Sequence, residues 1–402
     1  MKIVCVGGGP AGLYFTISMK LHNKEHDIIV VERNPAGVTY GWGVVFWDDM
    51  LDNLYDNDPK SAREIRDSSV LWDNQQVHAQ GKETVYLGEY GYSIGRKRLL
   101  DILAKRAMDL GVDVRFGREV EDPSEFAEAD LIVACDSVNS RVRQLYGDHF
   151  RTKVDMGRNK YIWLGTHKLF DAFTFAFEET DAGWIWFHAY HFDRHTSTSI
   201  VECSPETWKG LGFDELGPDE SIAHLEKIFE PYFDGHSLIN QMHHLGKTPW
   251  LNFRHISNEN WYHDNIVLMG DAAHTTHFTI GSGTKLALED AIGLAGKLHE
   301  HKDLQTTLEA HQEERRAALL RLQSAARDSA RWFENVQRYI DQEAIQFAYS
   351  LRERRQGKTS PEEIPWHYHP HLPTRGIAAL RRLRRRLRRW RRSARRELRA
   401  GR

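Results

Sequence analysis

The sequence predicts an α/β protein in which a parallel-sheet domain is interleaved with a second, β-sheet domain and followed by C-terminal helices. Three observations predict it. The chain opens on a short apolar run, Lys2–Val6, that breaks into glycines and re-enters as a helical pattern from Ala11 to about Leu21. Its middle section, about Lys160 to Asn258, alternates apolar and polar residues in KYIWLGT, FTFAFEE, WIWFHAYHF and STSIVECS. From Gly283 to about Gln356 the pattern is helical.

Taken in order, KIVCV is a buried strand, DIIVVER (Asp27–Arg33) is a second strand ending on an acid, and residues 34–95 are irregular around the loop TYGWGVVFWDD. A helix is expected over Arg96–Leu110, then the strands DVRFG and ADLIVACD, the latter ending at Asp136. After the alternating section, NIVLMGD returns to a buried strand. In WIWFHAYHF the alternation puts Trp184, Trp186, His188 and Tyr190 on one face and Ile185, Phe187 and Ala189 on the other.

A chain of 402 residues buries a sizeable core and suggests two intertwined domains. Twelve Trp and 18 Phe point to an aromatic-rich interior or pocket. Three widely spaced cysteines (Cys5, Cys135, Cys203) form neither a disulfide framework nor a metal pattern, so no metal is expected and the setting reads as a reducing cytoplasm. MKIVCV is too short for a secretory apolar region, and no apolar run reaches membrane-spanning length. The formal charge of −3 hides an asymmetry: from Leu380 to Arg402 stand 13 Arg and one Glu, leaving an acidic body. Leu380, Leu383, Leu387, Trp390, Ala394 and Leu398 give this Arg-rich tail a narrow apolar stripe. Its readings are adsorption to an anionic membrane surface, non-specific nucleic-acid contact, docking on the acidic body of a neighbouring subunit, or a solvated extension. No specific nucleic acid is expected as a partner.

Gly7-x-Gly9-x-x-Gly12 follows a strand and opens a helix, and Glu32 closes the second strand 20 residues after Gly12. That is a Rossmann-type constellation. The glycines permit a tight turn, close approach to a pyrophosphate and close packing of helix on sheet, while the acid accepts from ribose hydroxyls. Glu32-Arg33 suits FAD or NAD. A second junction, GDAAHTTHFTIGSGTKLALEDA, sets Asp271 after an apolar run and delays the next helix with Gly281-Ser282-Gly283. Such a helix end offers N–H groups and a positive dipole to something negative.

Arg96 opening its helix, Asp136-Ser137-Val138-Asn139-Ser140-Arg141 after a strand, and Gly270-Asp271 after another resemble, in order and spacing, the fingerprints of the single-component FAD-dependent aromatic hydroxylases, the p-hydroxybenzoate hydroxylase-like class. The resemblance spans roughly residues 2–300. GWGVVFWDDML, SIGRKRLL, GRNKYIWLGT and the Asp271 junction resemble the branch of salicylyl-CoA 5-hydroxylase and of the monooxygenase half of 2-aminobenzoyl-CoA monooxygenase/reductase. The GRNKYIWLGT pattern and HAY…STSIVECS are also similar to the tryptophan-derived pigment hydroxylases of violacein synthesis. Two positions depart from the class: Ser137 stands where Gly is usual, and Phe278 where a Pro usually follows four residues after His274.

The resemblance implies a Rossmann-type FAD-binding domain (1–60, 95–158 and 255–300), a substrate-binding β-sheet domain (61–94 and 159–254), a helical region (301–356), a Pro/His-rich connector (357–379) and the tail (380–402). It implies FAD as cofactor, held by Gly7, Gly9, Gly12, Glu32, Arg33, Arg96, Asp136, Asp271, Gly281 and Gly283. NADH or NADPH would be the co-substrate, O2 the oxidant, and an aromatic small molecule the substrate, a CoA thioester such as salicylyl-CoA or alternatively an indole-containing pigment precursor. His277, His188 and Tyr190 are the expected catalytic side chains, His277 beside Phe278 facing substrate and His274 belonging to the loop. Arg158, Lys160 and Tyr161 are open between substrate contact and neighbouring acids. WIWFHA resembles the start of the halogenase Trp-x-Trp-x-Ile-Pro motif, but His188-Ala189 replaces the Ile-Pro.

Overall fold

The computed structural model describes residues 1–241 and 250–356; the expected connector and tail lie outside the described residues. Lys2–Val6 forms the inner strand of a six-stranded sheet ordered Tyr262–His263, Ile266–Leu268, Leu131–Ala134, Lys2–Val6, Asp27–Glu32, Asp113–Phe116. All its neighbours pair in parallel except the terminal two-residue strand, which is antiparallel. Parallel strands buried on both faces need runs of β-branched residues, which IVCV, IIVV and LIV supply. Helix Pro10–His22 is buried along most of its length because it lies between this sheet and helices Arg96–Asp109 and Gly283–Glu300. Its start is fixed by Pro10, whose ring presets the helical φ and whose missing N–H would be unpaired there anyway.

The second layer is an eight-stranded sheet. Its path runs Leu238–Ile239, Thr152–Thr166, Ser197–Cys203, Gly183–His191, Phe173–Thr180, Gln75–Ala79, Val85–Tyr86, with Leu251–Asn258 pairing along Thr152–Thr166. The alternation seen in the sequence separates its faces. Trp186 and Tyr190 join Phe173, Phe175, Phe177, Trp332 and Phe333 in one core cluster, whereas Ile185, Phe187 and Ala189 join Ile162, Leu164, Phe229 and Phe233 in another.

The expected domain limits at 158/159 and 254/255 fall inside two paired strands, Thr152–Thr166 and Leu251–Asn258, which run as one ribbon across them. Residues 61–94 also divide. Val70–Trp72 and Gly91–Gly95 build a three-stranded sheet with Gly43–Phe46, while Gln75–Ala79 and Val85–Tyr86 extend the large sheet. Helix Leu304–Glu334, capped by Asp303 accepting from the Thr306 N–H at 2.8 Å, leads back along the molecule. Helix Ala344–Glu353 and the short turn Arg354–Gln356 then return the chain to the cavity between the sheets.

Candidate functional site

A single cavity of about 760 Å3 runs from the C-terminal ends of the parallel strands to the aromatic face of the large sheet. Gly7, Gly9, Glu32, Arg33, Arg96, Asp136, Asp271, Gly281, Gly283, His188 and Tyr190 all line it; Gly12 and His277 do not. A shallower pocket elsewhere, around Lys60, Arg63 and Arg98, has charged walls already joined in ion pairs such as Arg106–Asp58 at 2.9 Å and Arg98–Glu64 at 3.3 Å.

At the strand ends the fit to a dinucleotide can be tested atom by atom. Gly7 sits at φ +113°, and a Cβ there would stand 2.4 Å from the Cys135 carbonyl oxygen, so only glycine is admitted. A Cβ on Gly12 would stand 2.3 Å from the Gly7 oxygen; this residue seats the helix on the strand rather than facing the cavity. Two helix N-termini open on the cavity, at Gly9 and at Ser282, and neither N-cap residue caps its helix with a side chain. The Ser282 hydroxyl instead meets Thr276 Oγ1 at 3.1 Å. Uncapped N–H groups at two converging helix ends suit a pyrophosphate.

Glu32 is held by backbone donors, accepting from the Gly8 N–H at 2.7 Å and the Asn34 N–H at 2.8 Å. Asp271 stands on the turn Gly270–Ala272, and its accessible surface opens on the cavity. Among the described residues its carboxylate has no hydrogen-bond donor; burial pushes the carboxyl above its ordinary pKa while Arg96 and His274 draw it down. The loop behind it is braced by a buried network. His274 Nε2 meets Asp290 Oδ2 at 2.8 Å, Arg315 Nε donates to Asp290 Oδ1 at 2.8 Å, and the Gly270 N–H donates to Asp290 at 3.2 Å. Burial alone would raise the Asp290 carboxyl, but His274 and Arg315 outweigh it and hold the group well below the carboxylate range. His274 is therefore a bracing residue.

Asp136 has a local duty, accepting from the Arg141 and Val142 N–H groups at 2.7 and 3.3 Å and so starting the helix Arg141–Leu145. Beside it Ser137 adopts φ +74°, the left-handed conformation that a glycine takes without penalty. The departure noted in the sequence thus keeps the turn at the expense of strain. Ser137→Gly is expected to stabilise the protein by about 1 kcal/mol or less, since the relieved strain is partly offset by glycine's extra unfolded-state entropy. A thermal melt with a lower transition temperature than the parent would contradict this.

At the sheet end the walls are rings. His188 is stacked between Phe173 and Phe278, at centroid distances of 5.7 and 6.0 Å, and its buried Nδ1 has no hydrogen-bond partner. Burial, then the Arg354 cation, lower its pKa to about 3, so the ring is neutral. Tyr190 is stacked on Phe173 and donates its hydroxyl to the Gly43 carbonyl at 2.8 Å. That bond ties the large sheet to the three-stranded sheet and leaves the phenol oxygen as an acceptor on the cavity wall. Phe278, in place of proline, lines the cavity between Tyr161 at 4.7 Å and His188.

His277, expected to face substrate, does not line the cavity. Its ring lies behind the loop against Phe253, His255 and Phe278, and Nδ1 meets Thr279 Oγ1 at 3.0 Å. His277 is the N-cap of the short turn Phe278–Ile280, and its contacts with Phe253 and His255 hold it off the cavity wall that Phe278 forms. Of the three open strand residues, Tyr161 lines the cavity, Arg158 pairs with Glu206 at 2.9 Å and Lys160 donates to Asn252 at 2.7 Å. Sequence reasoning missed Arg354 and Arg355, which line the cavity from the end of the helical region. Their setting in LRERRQ reads as a solvated helix face.

The family model described as FAD binding domain matches residues 1–326. The chain belongs to that family. It is 36% identical over 349 residues to the salicyloyl-CoA 5-hydroxylase of a Streptomyces species, covering 85% of this chain and 66% of that protein's length. It is 32% identical over 361 residues to the protodeoxyviolaceinate monooxygenase of Chromobacterium violaceum, covering 88% of this chain and 95% of that one. Among solved structures, the tetrameric form of 2-methyl-3-hydroxypyridine-5-carboxylic acid oxygenase aligns with a TM-score of 0.67 at 19% identity, over 90% of this chain and 99% of that one, a likeness of fold. The family is of the flavin-monooxygenase type, and the cradle described above fits FAD. Among the described residues no helix is long and apolar enough to cross a membrane, and no cluster of His, Cys, Asp or Glu is placed to hold a metal ion.

Proposed function

We propose that the chain hydroxylates an aromatic ring with O2 and NADH or NADPH, on an aryl-CoA thioester such as salicyloyl-CoA, with hydroxylation at ring position 5. The observation that carries the reading is the continuity of the cavity: one space joins the glycine cradle to an aromatic chamber walled by Phe173, Phe175, His188, Phe278 and Phe333. FAD, when bound, supplies the electron transfer and the activation of oxygen.

The chain's own residues do the rest. Gly7 and Gly9 let the backbone approach the diphosphate, and the two uncapped helix ends face it. Asp271 and Glu32 accept hydrogen bonds from sugar hydroxyls. The aromatic walls hold a flat ring by stacking and keep water from it. Arg141 and Arg254, both on the cavity wall, offer cations to the phosphates of a CoA arm.

A second reading, hydroxylation of an indole-containing pigment precursor, is favoured by the fuller length match to the violacein-pathway relative. The test is NADH consumption by the FAD-loaded protein with salicyloyl-CoA and with free salicylate, with the product weighed for one added oxygen. Product from the thioester alone is the expected result. No stimulation by either compound overturns the thioester reading and moves the assignment to indole substrates.

A further inference from the structure

The cavity contains a buried positive charge that the cofactor cradle does not account for. Arg354 is 5% exposed and lies at the aromatic end, its guanidinium 5.6 Å from the Phe175 ring and 5.4 Å from the Phe333 ring. Its donors are fixed by the protein: Nε to Ser329 Oγ at 3.0 Å, one terminal nitrogen to the Leu351 carbonyl at 2.5 Å and the other to the Thr279 carbonyl at 2.9 Å. None of these partners carries a charge. Arg355 stands beside it, 5.4 Å over the Trp47 ring, with its buried Nε unpartnered. Among the described residues neither arginine has a carboxylate within ion-pair distance. Glu89 and Glu202 act on Arg354 only at longer range, while Arg355 opposes it. Glu89 is itself engaged by Arg352 at 2.9 Å.

A cation enclosed among rings without its counter-ion is expensive, and proteins keep one where a ligand supplies the anion. The remaining question is which anion. A carboxylate takes an arginine through two parallel N–H bonds. The side-on pair of Nε and a terminal nitrogen is engaged by Ser329 and Thr279, leaving one further N–H on each terminal nitrogen. The rings around them, Phe175, Phe333 and His188, favour an oxygen carried on a flat ring stacked in the chamber. The neutral His188 with its free Nδ1 stands on the same wall.

We propose that Arg354, seconded by Arg355, binds the ionised hydroxyl of a phenolic substrate, so that the ring enters the chamber as its phenolate and the phenol proton is left in bulk water. The ring class accepted is thereby narrowed to hydroxyarenes whose oxygen becomes electron-releasing on binding, which is what electrophilic oxygen transfer to the ring requires. This rests on the reading of the protein as a ring hydroxylase, but the experiment does not depend on turnover.

The probe is 4-nitrophenol, whose phenolate absorbs in the visible, titrated against the FAD-loaded protein without reductant over a pH series. The bound phenol is expected to ionise about 1–2 pH units below the free compound, as for an acid placed within about 4–6 Å of a cation. Arg354→Lys should retain part of the shift, and Arg354→Met should abolish it while losing tenfold or more in affinity for the phenolate. Nitrobenzene, which has no hydroxyl, should bind parent and variants alike. Flavin content of each variant reports folding, and the lysine variant with the parent protein keeps the test alive should the methionine variant fail to fold. Binding of nitrophenol as the neutral phenol, no binding, or an equal loss of nitrobenzene and nitrophenol in Arg354→Met overturns the proposal. Activity with salicyloyl-CoA is judged separately: the phenolate shift with no thioester turnover would sink the thioester reading and leave this inference standing.

Discussion

Asp271→Ala is expected to leave the protein folded and to lower its FAD affinity about ten- to hundredfold. A hydrogen bond to a charged acceptor is worth about 1.5–3 kcal/mol, and each 1.4 kcal/mol is tenfold in Kd. The fold should survive because Asp271 braces nothing: it has no hydrogen-bond donor among the described residues, and its loop is held by His274, Asp290 and Arg315. The same substitution at Asp290 would leave Arg315 and His274 without their shared carboxylate and is no test of the cradle. Asp271→Asn, which keeps the shape and loses the charge, should fall between parent and alanine. Flavin retained through gel filtration and a fluorescence titration of the apoprotein measure the effect, with circular dichroism to show the fold. A fully flavinated alanine variant of unaltered Kd would remove Asp271 from the cofactor site.

Why the cradle was legible in the chain and the chamber was not is a matter of distance along the sequence. Gly7, Gly9, Gly12 and Glu32 act within one strand–helix–strand unit, so spacing alone carries their geometry. The faces of Gly183–His191 were legible for the same reason, because strand periodicity sorts Trp186, His188 and Tyr190 from Ile185, Phe187 and Ala189. What a side chain on the right face then does depends on partners far away. Tyr190 donates its hydroxyl to the carbonyl of Gly43, 147 residues earlier, and nothing near Tyr190 announces it. His277 and Phe278 are neighbours in a loop without period, so which faces the cavity is decided by packing against Phe253 and His255. Arg354 is the extreme case. Only the return of the C-terminal helix to Thr279 turns an ordinary basic run into a buried cation.

Acidification of the apoprotein is expected to remove a large part of its stability between pH 6.5 and about 4.5. His188 and His277 are lowered to about 3 by burial first and by neighbouring positive groups after it, and His311 to about 4 by burial, which outweighs the opposing pull of Asp290. In this window the unfolded chain, with ordinary histidines, binds protons that these three refuse in the fold. Stability therefore rises with pH, is fully present above about 6.5, and is lost progressively as pH falls toward the folded values. Glu202 works in the opposite sense: burial raises it to about 7, so the fold holds a proton that the unfolded chain gives up between about 4.5 and 7. One histidine is thus offset, and for these four groups two net protons across two pH units amount to about 5 kcal/mol, from which the raised carboxyls of Asp136 and Asp271 subtract. Urea midpoints measured over a pH series report the slope directly. His188→Phe, which keeps a ring between Phe173 and Phe278, should reduce the slope by one proton, and a profile flat from pH 6.5 to 4.5 would show that these rings reach water before the fold opens. Below that range Asp290 adds a limb of the same sign, because a carboxylate held low in the fold stabilises it only while ionised.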